Sequence, residues 1–77
     1  MPSTISAVNY AIKIDYDASN NPIYVGYALP STLVTAAKWQ IMKITYDTNN
    51  NPTTVAYPNG TDAFNFIWNS RTTYTYS

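Results

Sequence analysis

KITYDTNNNPTTVAY, residues 43–57, decides the fold, because the chain contains this stretch twice. Thirty positions earlier, residues 13–27 read KIDYDASNNPIYVGY, and nine of the fifteen positions are identical. In each copy, two alternating segments flank an Asn-rich stretch that ends in proline. Asp and Asn bond their own backbone and tolerate left-handed conformations, so this stretch predicts a tight turn. Each copy is therefore predicted to be a β-hairpin.

The arms of the hairpins alternate apolar and polar residues, which is typical of half-buried strands. One side of the arms is strongly apolar in both copies, and we expect it to face inward. In the second copy, Trp39 and Ile41 are apolar on the opposite side, so this strand is expected to be covered on both sides, in part by a neighbouring subunit. The side expected to face inward carries Tyr10, Ile12, Ile14, Tyr16, Met42, Ile44 and Tyr46.

The segments outside the repeat complete a single mainly β domain over residues 1–77, with repeat halves at about 8–28 and 38–57. We expect residues 28–38 to cross between sheets or edges. After a Pro-Asn-Gly turn, Thr61 can cap a short helix, with Phe64, Ile67 and Trp68 at helical spacing. The terminal segment RTTYTYS alternates Thr and Tyr and predicts a last strand. Helix and strand together occupy residues 61–77.

Composition excludes several classes of function. The chain has 77 residues without Cys or His, so disulfides and the commonest metal ligands and catalytic bases are missing. Only 10% of residues are charged and the formal net charge is zero, which is unsuited to nucleic-acid binding. Neither a secretory signal nor an apolar run of about 18 residues is visible, so we expect cytoplasmic synthesis and no membrane partner.

The same composition favours association. Aromatic residues make up 16% of the chain, and Tyr and Trp are enriched where proteins meet. A small, neutral, aromatic-rich domain is expected to be poorly soluble alone, so a homo-oligomer such as a ring or a trimer is predicted. Core packing explains at least half of the candidate interface residues equally well; the candidates are Trp39, Ile41, Phe64, Trp68, Tyr74 and Tyr76.

The Asn-rich loops also suggest a metal site, because Asp47, Asn49 and Asn51 stand at positions 1, 3 and 5 of a calcium loop. Such a loop needs Gly at position 6 and Glu at position 12. Both positions are Pro in the second copy, and the first copy also fails at both. The pattern favours a plain turn with no metal or cofactor. With no His or Cys to act as base or thiol nucleophile, we do not expect an enzyme.

Two segments, WQIMKITYDTNNNPTTV (39–55) and AFNFIWNSRTTYTYS (63–77), resemble short virion structural proteins of tailed bacteriophages. YVGYALP (24–30) is similar to their Gly-x-Ala-x-Pro segment. The chain departs from them at residues 57–59, where they more often carry Trp or Phe followed by acidic residues. The resemblance implies a non-enzymatic small β module that decorates the capsid or attaches to tail or fibre proteins, and that therefore resides in the virion.

Two other functions fit the same residues. A glycan- or host-surface-binding module would display Tyr and Asn side chains, and exposed coplanar rings would favour it. A subunit of a self-assembling filament or surface layer would need no virus at all. Both alternatives keep the expectation of a mainly β fold with two repeated hairpins, a short C-terminal helix and a final strand.

Overall fold

A computed structural model describes residues 8–77, which fold as an antiparallel sheet with one short 3-10 helix. The prediction of a mainly β domain built on two hairpins is confirmed. The first four strands lie in chain order across the sheet, and the fifth pairs with the beginning of the third. The elements are β1 (Ala11–Tyr16), β2 (Pro22–Ala28), β3 (Ala37–Tyr46), β4 (Pro52–Ala56), β5 (Phe66–Ile67) and the 3-10 helix (Trp68–Thr73).

The two hairpins have the same pairing register, as the sequence repeat requires. Ile14 is opposite Val25 in the first hairpin, and Ile44 is opposite Val55 in the second. Each hairpin has a bulge next to its turn, where the last tyrosine of one strand is opposite the proline that begins the next. The hairpins therefore repeat in structure as well as in sequence.

The Asn-rich loops are turns organised by one carboxylate each. The Oδ1 atom of Asp47 accepts hydrogen bonds from the backbone N–H groups of Asn49, at 2.8 Å, and Asn51, at 2.9 Å. Asn50 has a φ of 63°, in the left-handed region that asparagine tolerates better than most residues. Asp17 makes the equivalent two bonds in the first loop. Sequence and geometry agree that these loops are self-sufficient turns.

The linker between the hairpins stays within one sheet, so the prediction that residues 28–38 cross between sheets or edges is wrong. β2 and β3 are direct neighbours, and the intervening residues make two successive turns. The first turn is closed by the bond from Thr32 N–H to the Leu29 carbonyl, and the second by that from Ala36 N–H to the Leu33 carbonyl. Ser31, with a φ of 70°, supplies the reversal that brings the chain back.

The core lies on the side of the sheet opposite to the one expected. Ile12 and Ile14, predicted to face inward, expose 55% and 46% of their surface. Trp39 and Ile41, on the other side, are 2% and 0% exposed. The core consists of Tyr24, Ala28, Trp39, Ile41, Phe66 and Trp68.

Two indole rings explain this choice of side. The Trp39 and Trp68 rings lie 6.0 Å apart, inclined by 43°, against β2 at Gly26. A Cβ at position 26 would meet a ring carbon of Trp68 at 2.5 Å and one of Trp39 at 3.2 Å. Only a glycine leaves room for both rings at this distance from the strand. Since Trp residues bring the largest apolar area in the chain, the side with this gap becomes the core.

The segment after the second hairpin differs from the helix predicted from Thr61. Residues 61–65 form no helix, and the Thr61 hydroxyl accepts only a local bond, from the N–H of Ala63. Phe66 and Trp68 are both buried, whereas Phe64 is exposed. Burial thus follows the two-residue period of a strand, which the helical spacing of the apolar residues concealed. The helix that does form is of the 3-10 type and begins at Trp68.

The prediction of a last strand over residues 71–77 is wrong, because this segment makes only a short backbone contact with the sheet. Residues 71–73 belong to the 3-10 helix, and a single bridge joins Tyr76 to Pro58. The backbone of Ser77 exchanges two hydrogen bonds with that of Tyr57. The Thr-Tyr alternation has another purpose, because the Tyr74 and Tyr76 rings both turn toward the core.

An ion pair fastens the C-terminal segment to the first strand. Two nitrogens of the Arg71 guanidinium donate to Oδ2 of Asp15, at 2.9 and 3.0 Å. The same guanidinium lies 4.6 Å from the centre of the Trp68 ring and donates to the Trp68 carbonyl. The guanidinium of Arg71 therefore covers the Trp68 ring, and the carboxylate of Asp15 neutralises its charge.

We predict that Gly26→Ala destabilises the fold by about 1–3 kcal/mol, because the added methyl displaces the Trp68 ring. Urea unfolding followed by tryptophan fluorescence measures this change. Thr54→Ala, at an exposed position of β4, is the control and should change stability by less than about 0.5 kcal/mol. Equal effects of the two substitutions would contradict the packing described here.

A second prediction concerns acid. Backbone N–H groups of Asn51 and Asn49 hold the pKa of the Asp47 carboxyl below its ordinary value of 3.8. The stabilisation by this carboxylate is therefore complete above the unfolded-state pKa and is lost as the pH falls through the folded-state pKa. Native protein should be more stable than Asp47→Asn at pH 7, and the difference should disappear in acid. Urea titrations across this pH range test it, and a difference independent of pH would contradict it.

Candidate interaction surface

The sheet has one apolar side that the described residues leave largely uncovered, and we call it the open face. The pairing register places residues from all four hairpin strands on it. Four of them, Ile12, Ile14, Tyr16 and Val55, expose roughly half of their surface. A contiguous apolar patch of this kind is typical of a contact site. The open face consists of Ile12, Ile14, Tyr16, Val25, Tyr27, Met42, Ile44 and Val55.

Charge is absent from the centre of the open face. Lys13 is opposite Gly26, and Lys43 is opposite Tyr24, which places both lysines on the core side of the sheet. Asp15 points to the core side as well, where Arg71 binds it. Charged groups are usually depleted from the centre of a protein–protein contact, and the open face has this property.

Aromatic residues border the open face at the end away from the hairpin turns. Tyr10 stacks on Phe64 with ring centres 5.1 Å apart and meets Tyr27 edge-on at 6.4 Å. The bond from the Gln40 side chain to the Asp62 carbonyl, at 2.9 Å, holds the segment that carries Phe64. Beside these rings lies a shallow cavity of about 350 Å³, which is lined by Val8, Tyr10, Leu29, Thr32, Lys38 and Phe64.

This cavity offers little to a sugar. The Tyr10 and Phe64 rings are inclined by only 25° and cover one face of each other. Its polar side-chain groups are those of Tyr10, Thr32 and Lys38, each with a single polar atom, whereas a specific sugar site needs several convergent donors and acceptors. The surroundings are better suited to apolar side chains of another protein.

The six interface candidates predicted from the sequence fall into three groups: core residues, an exposed residue and half-buried residues. Trp39, Ile41 and Trp68 are core residues with almost no surface left for a partner. Phe64 is 39% exposed at the border of the open face, so it is available for contact. The remaining two candidates, Tyr74 and Tyr76, are half-buried.

Both of these tyrosines use their hydroxyls within the chain. Tyr74 accepts a bond from the Ile67 N–H at 2.9 Å, and Tyr76 donates to the Arg71 carbonyl at 2.7 Å. Burial raises the pKa of the Tyr76 phenol above its ordinary value, so the hydroxyl keeps donating to a higher pH than that of an exposed tyrosine would. Within this chain, the two rings close the core beside Phe66 and Tyr24.

Sequence reasoning missed the exposed part of the open face. The alternation predicts that Ile12 and Ile14 face the core, because half-buried strands normally bury their apolar side. The signal that could have corrected this is Gly26, since a glycine inside a strand often marks the close approach of another group. Tyr24 and Ala28 lie two residues before and after Gly26, on the same side of β2, and both are buried in the core.

The carboxylates of the two loops are already engaged. Asp17 and Asp47 accept backbone hydrogen bonds from their own turns. Over residues 8–77, the acidic side chains form no cluster of three or more that could hold a metal ion. In that same part of the chain, no helix has the length and hydropathy of a membrane span.

The size of the open face bears on how strongly it could bind. Four strands of about six residues, at about 4.8 Å between strands and 3.3 Å per residue, cover roughly 300–400 Å². A standard interface takes about 800 Å² from each partner. The open face is therefore large enough for a weak contact or for one part of a stronger one.

Comparisons of the chain with protein-family models, with curated proteins and with solved structures found no match. The surface of this chain is therefore the basis for assigning a function. Its defining feature is a four-stranded sheet with a core on one side and a neutral, apolar open face on the other.

Proposed function

We propose that the chain is a non-enzymatic structural subunit of a tailed-bacteriophage particle. It self-associates and decorates or reinforces the capsid, or attaches to tail or fibre proteins. The observation that carries this proposal is the open face, because a contiguous, uncharged apolar sheet surface is typical of a protein contact site. The work of such a subunit is mechanical and requires no reactive side chain.

Composition supports self-association independently. Only four basic and four acidic residues are available to keep the chain soluble. Two of these eight charges neutralise each other, since Arg71 pairs with Asp15. A particle subunit present at high local concentration meets its neighbours constantly and does not need a strongly charged exterior.

The phage assignment is supported by the resemblance of residues 39–55 and 63–77 to virion structural proteins. The structure gives these residues one common role. Trp39 and Trp68, one from each segment, pack on each other and build the core. The two resembling segments thus supply four of the six core residues. A filament or surface-layer subunit would use the same open face and differs in its genomic and cellular setting.

We predict that the isolated chain self-associates, with apolar residues at the border of the open face in the contact. Light scattering after size-exclusion chromatography should give masses above 8.6 kDa, rising with concentration between about 10 μM and 1 mM. Ile14→Asp places a charge among the apolar residues of the open face on edge strand β1 and should give a monomer. Leu33→Asp introduces the same charge at a 71% exposed residue of the linker and should leave association unchanged. A native protein that stays monomeric throughout would contradict the proposal.

The virion setting has its own test. Particles purified from a host that produces this chain should contain it in many copies, detectable by mass spectrometry and by antibody labelling in electron micrographs. Self-association without incorporation into particles would reject the phage role and favour a filament or surface layer. Binding to a glycan array by a monomeric chain would favour the host-surface alternative.

A further inference from the structure

We infer that copies of the chain join head to tail, with β4 of one copy pairing with β1 of the next. The pairing uses the register that β2 and β3 use within a single chain. This inference rests on the proposed self-association and specifies its contact. Its basis is that the two hairpins are repeats of one structure, so the pairing of β2 with β3, which we call the internal joint, is already a contact between two copies of one hairpin.

The internal joint supplies the template. β2 belongs to the first hairpin and β3 to the second, and they pair in antiparallel fashion. Residues 8–77 contain only these two hairpins, so β1 and β4 are the edge strands of the four-stranded sheet. Adding thirty to positions in β2, and subtracting thirty from positions in β3, converts the internal pairs into pairs between copies. Tyr24–Lys43, Val25–Met42 and Gly26–Ile41 become Thr54–Lys13, Val55–Ile12 and Ala56–Ala11.

A hydrogen bond from a tyrosine hydroxyl links the two hairpins, and the equivalent tyrosine and proline on the two edge strands make no such bond with each other. The Tyr46 hydroxyl donates to the carbonyl of Pro22, on the neighbouring hairpin, at 2.6 Å. The repeat equivalents are Tyr16, on edge strand β1, and Pro52, on edge strand β4. Tyr16 is 54% exposed, whereas Tyr46 is half-buried by its neighbour. Pairing between copies would give Tyr16 the environment that Tyr46 already has.

A second link behaves in the same way. The Asn21 side chain reaches across the joint and donates to Oδ1 of Asn50, at 3.0 Å. The equivalent donor in the second hairpin is Asn51, which has no neighbouring hairpin to reach. It turns back instead and donates to Oδ2 of its own Asp47, at 3.3 Å. The loop of the second hairpin therefore holds a donor that a following copy could engage through Asn20.

The two edges are suited to pairing over three residues. β4 is exposed along almost its whole length and carries no charged residue, so nothing repels an incoming strand. Its initial proline does not prevent pairing, because Pro22 begins β2 at the same position and β2 pairs on both sides. Beyond Ala56 the backbone of Tyr57 is bonded to Ser77, which limits the contact to residues 54–56.

Such a joint has a direct consequence for the open face. Each added copy continues the sheet, so the open faces of successive copies combine into one broader apolar surface. A head-to-tail contact of this kind closes into a ring or continues as a filament. The combined surface, larger than that of one chain, is the part left to contact a shell or tail protein.

The test uses the absence of native cysteine in the chain. In the double variant Ile12→Cys/Val55→Cys, the two sites within one chain are separated by three strand spacings across the sheet and by four residues along it. They therefore lie about 20 Å apart, and no internal disulfide can form. Mild oxidation of the native-like oligomer should give a ladder of cross-linked dimers, trimers and higher species on non-reducing gels. Ile14→Cys/Val55→Cys, displaced by two residues, is the control and should cross-link at least several-fold less.

Tyr16→Phe provides a test without cysteine. It should weaken association about two- to ten-fold by removing one hydrogen bond, and should leave the unfolding of the monomer unchanged. Its repeat equivalent Tyr46→Phe should instead lower the stability of the monomer. If light scattering shows self-association but the two cysteine pairs cross-link equally, the inference is overturned and the proposed self-association stands. If the native chain is monomeric, both are rejected.

Discussion

The packing of two indole rings against a single glycine is the constraint on which this structure depends. Trp39 comes from the second hairpin and Trp68 from the 3-10 helix, and they meet over Gly26 of the first. This contact joins the three parts of the chain. It also decides which side of the sheet becomes the core, and so leaves the isoleucine-rich side as the open face. The same packing of the two indole rings therefore determines both the core and the candidate interaction surface.

Local structure could be predicted from the sequence, whereas the choice of sides could not. The repeat predicted both hairpins, and the Asp and Pro positions predicted both turns, because these features depend on neighbouring residues. Which apolar side is buried depends on residues 66–68, far away in sequence. The period-two pattern identifies two sides but does not say which of them a distant segment will cover.

The C-terminal segment shows the same limit in another form. Phe64, Ile67 and Trp68 have helical spacing, and Phe66 and Trp68 have strand spacing, so the local pattern is ambiguous. Pairing of β5 with the free part of β3 resolves it, since Trp39 already presents a surface there. The interface candidates were predicted from residue type alone, and for this reason some of them lie in the core and others at the surface. Large aromatic residues serve cores and contacts alike, and only their position distinguishes the two uses.

The glycine at position 26 limits how symmetric this protein could become. Its repeat equivalent is Ala56, so the two halves differ by one methyl group at the place where the indoles sit. A consensus chain built from two identical second-half hairpins would carry alanine at both positions and lose the gap. One built from two first-half hairpins would lose Trp39, which has no counterpart in the first repeat, where position 9 is Asn. Divergence between the duplicated halves is therefore a condition of folding as a single unit.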